Sequence, residues 1–424
     1  MSRTAAAAAF LLTLLPAVAS ARGGLDDSFG KGGVALAWSP VGGSAAAGYG
    51  AAVDADGRVL VAGAVTDSTG TPHMAVWRFT ADGAPDETYG RGGVSVSTEP
   101  GWAWGLALDA RGRALTPGLK AIYGKASTRA VLERRAVDGA RDADFNGGGR
   151  AEAEGPFGGF MAEGGAAAAG RDGTILLVGQ AADGARRMRP AAWRLDDGGA
   201  FSAGVSSASA RRLSVPEDAG DARVSALSAR AAGGWWAAGA LDWRRLALWR
   251  LTADGSVDWD FGAGGLALSD GVGRALAPDG ADGVWAAGFA YSGVGKEHRE
   301  SAVLAHFAAD GSTTSWTSLP VPGLRDREAF ALVRAPDGRL FAAGYADGGD
   351  LPVRACLWAL RPDGRLDARF GRGGVLVLPA TGPKSEARVY ALALDARGRL
   401  LAAGLSRADP KAARRLAVWR LKTR

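Results

Sequence analysis

Cysteine and histidine are nearly absent from this sequence, which contains one Cys and three His. Cys356 cannot form an internal disulfide, and its place in an apolar run predicts a small buried side chain rather than a nucleophile. His73, His298 and His306 show no spacing typical of a metal site, and we therefore expect neither a metal nor a cofactor. Stability must come from packing, for which an apolar content of 47% is ample.

Long hydrophobic runs are also lacking, apart from one at the N-terminus. Residues 1–21 combine Arg3, an apolar run from Ala5 to Leu15 and the small residues Ala19 to Ala21, which is the pattern of a cleaved signal peptide. The run is too short for a permanent membrane anchor, and no Cys near the cleavage site is available for lipid attachment. We expect a mature chain from about residue 22, secreted or periplasmic and without a transmembrane anchor.

The charge balance is only mildly basic, with a formal net charge of +6 and a pI near 9.6. This excess permits attraction to polyanions without establishing it. Nucleic-acid binding is disfavoured, because the basicity is weak and platforms for base stacking are missing.

Internal repeats dominate the chain. Val389 to Leu421 reads as two apolar strands joined by a polar turn, followed by a third strand, and this pattern recurs. A glycine ends the second strand of each of seven repeats, numbered one to seven in chain order: Gly63, Gly118, Gly179, Gly239, Gly288, Gly344 and Gly404. Asp-Gly turns follow the third strands, and the motif Phe-Gly-x-Gly-Gly-Val is assigned to a fourth strand.

Four antiparallel strands repeated in this way predict a β-propeller. We expect residues 22–424 to form a single, monomeric, all-β domain of seven four-stranded blades. The last repeat, residues 388–421, lacks a fourth strand, whereas residues 25–38 supply one with no blade before it. The N-terminal strand should therefore complete the last blade and remove an open sheet edge.

Side-chain alternation suggests how the blades pack. Bulky first-strand residues, including Tyr49, Trp104, Phe330 and Tyr390, are expected to nest against small residues of the neighbouring blade. A tryptophan column on the third strands is assigned to the same interfaces: Trp77, Trp193, Trp249, Trp358 and Trp419. Arg-Asp pairs such as Arg134 with Asp142 should face each other across a hairpin, each adding about 0–1 kcal/mol if exposed.

The repeats resemble the delta-60 repeat family of bacterial proteins. The best matches are Leu25 to Val34, Asp56 to Gly63 with Arg78 to Gly83, Asp337 to Gly344, and Leu366 to Val375. The resemblance implies an exported bacterial propeller-like protein, and it supplies no catalytic motif.

Function is expected on the face of the ring that carries the long, variable loops, because binding residues favour such loops on a rigid scaffold. Candidate ligand-binding residues lie at the channel mouth and in basic loops: Trp102, Trp104, Glu163, Arg223, Glu328 and Arg388 at the mouth, and Arg186, Arg187, Lys296, His298 and Arg299 in the loops. We favour a non-enzymatic binding or scaffold protein for an envelope or extracellular glycan, a polyanion or a protein. The alternative is a propeller lyase or hydrolase that uses His298, Glu163 or Glu328 as acid or base.

Overall fold

The structure is a computed structural model that describes residues 23–122, 127–202, 210–292, 299–349, 352–379 and 384–423. Within these ranges every regular element is a β-strand, and the strands form five sheets. The predicted signal peptide lies outside the described residues.

Two short strands begin the described chain, β1 (Gly24–Leu25) and β2 (Val34–Ala37). A twelve-stranded sheet follows: β3 (Gly42–Val53), β4 (Val59–Asp67), β5 (Pro72–Phe79), β6 (Val94–Ala103), β7 (Ala107–Leu108), β8 (Ala114–Ile122), β9 (Ser127–Arg135), β10 (Arg150–Ala153), β11 (Gly158–Ala169), β12 (Ile175–Asp183), β13 (Met188–Leu195) and β14 (Arg211–Arg212). It spans repeats one to three.

Repeats four, five and six each form a separate four-stranded sheet. Their strands are β15 (Ala222–Ala229), β16 (Trp235–Leu241), β17 (Arg245–Leu251) and β18 (Leu266–Asp270); β19 (Val272–Pro278), β20 (Val284–Ser292), β21 (Arg299–Phe307) and β22 (Thr313–Ser318); and β23 (Asp326–Arg334), β24 (Leu340–Asp347), β25 (Arg354–Leu360) and β26 (Val375–Val377). The last sheet unites β27 (Glu386–Leu394), β28 (Leu400–Arg407) and β29 (Arg415–Lys422) with β1 and β2.

The two ends of the chain meet in that last sheet. β1 and β2 both pair antiparallel with β29, with Gly24 opposite Lys422 and Val34 opposite Trp419. Between the two short strands, the carboxylate of Asp26 accepts a hydrogen bond of 3.0 Å from Nε of Arg420. The N-terminal segment thus occupies the outer edge of the sheet formed by the last repeat.

The Phe-Gly-x-Gly-Gly-Val motif is a turn, and its assignment to a strand was wrong. In the first copy Gly30, Gly32 and Gly33 have φ values of 55°, 61° and 87°. These left-handed conformations suit glycine and interrupt the extended backbone of a strand. The fourth strands accordingly begin near the end of each motif, as at Val94, Leu266 and Val375.

The tryptophan column packs between repeats, as predicted. Trp193 lies in one hydrophobic cluster with Leu132, and Trp249 in another with Leu176, each of these leucines belonging to the preceding repeat. Trp358 is fully buried, and its indole Nε1 donates to the carbonyl of Pro320 at 2.9 Å. Burial of the ring and satisfaction of its N–H explain why tryptophan suits this position.

The Arg-Asp pairs join across their hairpins as predicted, but several are buried rather than exposed. The pair Arg134 with Asp142 closes at 2.7 Å, and the Arg134 side chain is only 2% exposed. Its Nη1 also donates to the carbonyl of Asp197, in a turn of the next repeat. We call this arrangement an arginine clasp; it recurs with Arg78, Arg250 and Arg420.

Candidate functional site

The first strand of nearly every repeat contains a β-bulge at the same place. The register of its pairing with the second strand shifts by one residue in β3, β11, β15, β19, β23 and β27, and in repeat two the strand is interrupted between β6 and β7. The glycine that recurs in the second strand of each repeat lies opposite this bulge. A Cβ at any of these glycines would lie 1.7 to 2.0 Å from a carbonyl oxygen of the first strand. Glycine is therefore required for the close approach of the two backbones.

The displaced residues line one cavity of about 370 Å³, which we call the central cavity. A bulge redirects the side chain that it displaces, so all of the repeats contribute to this space. The displaced residues are Tyr49, Trp104, Gly165, Ser225, Arg274, Phe330 and Tyr390. Tyr49, Trp104, Phe330 and Tyr390 were expected to nest against small residues of the neighbouring blade. They instead face this cavity and contact one another across repeats, because strict alternation does not hold through a bulge.

One side of the central cavity is an aromatic arc of four neighbouring rings. Phe330 contacts Tyr390 with ring centroids 5.1 Å apart, Tyr390 contacts Tyr49 at 5.1 Å, and Tyr49 contacts Trp104 at 5.4 Å. Burial raises the pKa of Tyr49 to about 12, so its hydroxyl keeps its proton at neutral pH. The arc therefore presents aromatic faces and neutral hydroxyl groups.

Two arginines adjoin the arc, and the guanidinium of Arg274 lies 5.1 Å from the Phe330 ring. The guanidinium groups of Arg223 and Arg274 lie 4.9 and 5.6 Å from the ring of Trp243. Burial lowers the pKa of Arg274, but arginine stays protonated in proteins. Nε of each arginine is buried and has no hydrogen-bond partner among the described residues. Glu163 also lines the cavity and accepts a hydrogen bond of 2.7 Å from Nε2 of Gln180.

The backbone that carries Trp243 is strained. Asp242 and Trp243 form the turn between β16 and β17 with φ values of 53° and 56°, and Arg244 N donates to the Leu241 carbonyl at 3.0 Å. Such a type I′ turn favours Asn-Gly, and a bulky residue there costs about 1–3 kcal/mol. This turn places the indole against the guanidinium groups of the two arginines.

A cluster of carboxyl and hydroxyl groups lies beside Arg274. The Tyr345 hydroxyl donates to Oε1 of Glu328, and Oε2 of Glu328 lies 3.8 Å from Nη2 of Arg274. Burial, followed by the nearby Glu328 carboxylate with which it is hydrogen-bonded, raises the pKa of Glu300 to about 7. Glu300 can therefore still carry a proton close to neutral pH.

We expect this pair to make stability depend on pH. The pKa of Glu300 is raised from 4.5 to about 7 in the folded chain, so the folded state binds more protons than the unfolded state between these values. The free energy of unfolding should fall as pH rises through this window and change no further through Glu300 above it. Urea titrations across the window should show the slope, and Glu300→Gln should flatten it; an unchanged slope would contradict the raised pKa of Glu300.

The structure brings together only part of the predicted site. Trp104, Glu163 and Arg223 line the central cavity, whereas Trp102 and Arg388 lie outside its described lining, and Arg388 stacks on Tyr345 at 4.2 Å. Arg274, Gln180 and Trp243 also line the cavity but were not among the predicted site residues. The glycine repeated in the second strand was the available signal for a bulge.

The loop arginines stand apart from the central cavity. Arg187 pairs with Asp183 at 3.0 Å, and Arg189 is buried against the carbonyls of Ala219 and Gly220. Arg186 stays exposed, and Arg299 begins β21. Lys296 and His298 lie outside the described residues. Over the described ranges, no group of three or more His, Cys, Asp or Glu residues could hold a metal ion.

In the described part of the chain, no helix is long and apolar enough to cross a membrane. Residues 55–89 match a family model described as a domain of unknown function (DUF5122) β-propeller. No curated protein matches the chain. Together with the all-β sheets, the family match supports a β-propeller repeat protein.

Several solved structures are similar to this chain at low identity. The β-propeller domain of the Trilobed protease from Pyrococcus furiosus is 10% identical, with 87% of this chain and 91% of that chain covered and a TM-score of 0.43. A Hadza microbial sialidase is 12% identical, with 88% and 65% covered and a TM-score of 0.44. The α-L-arabinofuranosidase Arb93A from Fusarium graminearum is 11% identical, with 74% and 91% covered and a TM-score of 0.40.

Proposed function

We propose that this protein is a binding protein whose central cavity takes a small ring that carries a carboxylate, such as a hexuronic acid. The main support for this proposal comes from Arg223 and Arg274, which line the cavity. Nε of each is buried and has no hydrogen-bond partner among the described residues. A buried donor without a partner costs about 1–3 kcal/mol, which a ligand oxygen would recover.

The shape of the cavity supports the same ligand class. Its volume of about 370 Å³ is in the range of small-molecule pockets. The aromatic arc offers a flat surface to the C–H face of a sugar ring, and the arginines beside it offer donors to a carboxylate. Glu163 and Gln180 can bond to ring hydroxyl groups.

A calorimetric titration of residues 22–424 tests the proposal. D-Glucuronic and D-galacturonic acids should bind at least tenfold more tightly than D-glucose and D-galactose. Arg274→Gln should weaken binding of the acids by about 10- to 100-fold, because a hydrogen bond to a charged group contributes about 1.5–3 kcal/mol. The melting temperature of each variant verifies that it folds.

Arg186→Gln is the matched control, since it removes the same charge from an exposed loop outside the central cavity. It should leave binding unchanged. Equal binding of acidic and neutral sugars, or loss of binding only in the Arg186 variant, would contradict a site in the central cavity. The second result would direct attention to the loop face and to a polyanion, an extracellular glycan or a protein partner.

We infer a single ring of seven blades, closed by the N-terminal strands, because all of the repeats direct their displaced residue into one cavity. Export to the periplasm or the medium follows from the predicted signal peptide, and the delta-60 repeat assignment from the sequence resemblance.

A hydrolase is the second candidate, supported by the Glu300, Glu328 and Tyr345 cluster. The hydrogen bond between the carboxyl groups of Glu300 and Glu328 argues against it, because glycosidases hold theirs about 5–5.5 Å or 6.5–9.5 Å apart. Cleavage of a hexuronate-terminated oligosaccharide by the native chain, but not by Glu328→Gln, would favour the hydrolase.

A further inference from the structure

A second cavity of about 730 Å³ lies between repeats four and five, and we call it the side groove. Trp243 lines both the side groove and the central cavity. From this shared ring the side groove extends past Tyr291 to Trp316 and Ser318. The two cavities are therefore neighbours separated by one indole.

The aromatic rings of the side groove are exposed but held in place. Tyr291 is 37% exposed and Trp316 is 44% exposed. The ring of Tyr291 packs edge-to-face on Phe289 with centroids 5.1 Å apart, and Nε1 of Trp316 donates to the carbonyl of Asp270 at 3.2 Å. Exposed aromatic side chains with fixed orientations are typical of binding surfaces, because little side-chain freedom is lost when a ligand arrives.

The charge of the side groove differs from that of the central cavity. Its described lining includes the acidic Asp242 and Asp270 and the basic Arg244, and Asp242 also pairs with Arg245 at 3.1 Å. The acidic residues offset the basic one, so no excess of positive charge attracts a second anion. Carboxylate oxygens can instead accept hydrogen bonds from neutral hydroxyl groups, and serine hydroxyl groups can both accept and donate them.

We propose that the side groove binds neutral sugar units joined to the acidic ring in the central cavity. This inference rests on the proposed function and deepens it: the ligand is an oligosaccharide that ends in a hexuronic acid. The two subsites adjoin at Trp243, whose indole lines both cavities and is carried by the turn with positive φ values. Tyr291 and Trp316 then contact the C–H faces of the following sugar rings.

The test compares hexuronic acid with di- and trisaccharides that carry it at the non-reducing end on neutral sugars, the glucuronosyl-xylose series included. At least one oligosaccharide should bind tenfold or more tightly than the free acid. Trp316→Ala should abolish that gain and leave the affinity for the free acid unchanged. Trp259→Ala is the control, since Trp259 is 67% exposed and lies outside both cavities.

Tyr291→Ala is a second variant with the same expected effect, in case Trp316→Ala does not fold. Binding of the free acid without any gain from added sugars would overturn this inference and leave the proposed function intact. A gain that survives in both groove variants would also overturn it. Failure of every acid to bind would overturn the proposed function and this extension together.

Discussion

Replacing Arg134 with alanine will lower the free energy of unfolding by about 3 kcal/mol, because it breaks a buried ion pair and leaves the Asp142 carboxylate with a longer contact of 3.4 Å to Arg113. The Arg134 side chain is 2% exposed and that of Asp142 is 12% exposed. The guanidinium also lies 4.5 Å from the Phe145 ring and donates to the Asp197 carbonyl of the next repeat. The substitution therefore removes an ion pair, a cation–π contact and a link between repeats.

Equilibrium unfolding in urea will measure the loss, and Arg361→Ala provides the comparison. Arg361 lies 3.6 Å from Asp363, and the two side chains are 46% and 50% exposed. An exposed pair contributes about 0–1 kcal/mol, so the control should unfold almost like the native chain. Similar losses in the two variants would show that the arginine clasp adds nothing beyond a surface pair.

Only part of the arginine clasp could be predicted from the sequence. Equal spacing from a turn was enough to predict that Arg134 and Asp142 face each other, since hairpin pairing is local. The third partner, the Asp197 carbonyl, belongs to the next repeat, and its position follows from how repeats pack. In repeats three and five the same positions retain a polar contact, Arg194 with Ser202 at 3.5 Å and His306 with Thr314 at 2.6 Å. Substitution of the acid therefore changed the chemistry but kept the contact.

The central cavity was only partly predictable. Trp104, Glu163 and Arg223 were identified because the start of each first strand was expected near the axis. Arg274 and Tyr49 were not predicted as site residues, because regular alternation of side chains along a strand does not point them towards the cavity. A bulge shifts this alternation by one position. The glycine facing each bulge appears in the sequence, but only the structure shows the carbonyl that excludes a Cβ there.

Repeat two contains a buried charge cluster that no repeat pattern predicts. Glu133 occupies the position of the tryptophan column and is completely buried. Arg135 lies 2.8 Å from its carboxylate, Ser97 donates to it at 2.6 Å, and Arg150 also contacts it. These partners come from separate strands, so their convergence depends on tertiary structure. Desolvation by itself would raise the pKa of Glu133, but attraction to Arg135, Arg150 and Arg141 together with the Ser97 hydrogen bond lowers it.

Deleting residues 23–38 will abolish the cooperative unfolding transition or cause aggregation. The deletion removes both strands that pair with β29, and with them Phe29, which is fully buried against the guanidinium of Arg420 at 4.7 Å. Loss of a buried Phe side chain alone costs about 3–5 kcal/mol, and the unpaired edge of β29 would be open to other chains. Thermal unfolding and light scattering will measure both effects.

Moving the same segment to the other end of the chain will restore the fold. Gly24 faces Lys422 in an antiparallel ladder, so Thr423 and Gly23 lie close enough for a short hairpin loop of about 2–5 residues. A permutant that runs from residue 39 to 424 and continues through such a loop into residues 23–38 should melt within a few degrees of the native chain. A deletion variant as stable as the native chain would exclude a closing role for the segment. A permutant as unstable as the deletion would show that connection to the N-terminus, rather than completion of the sheet, is what the segment provides.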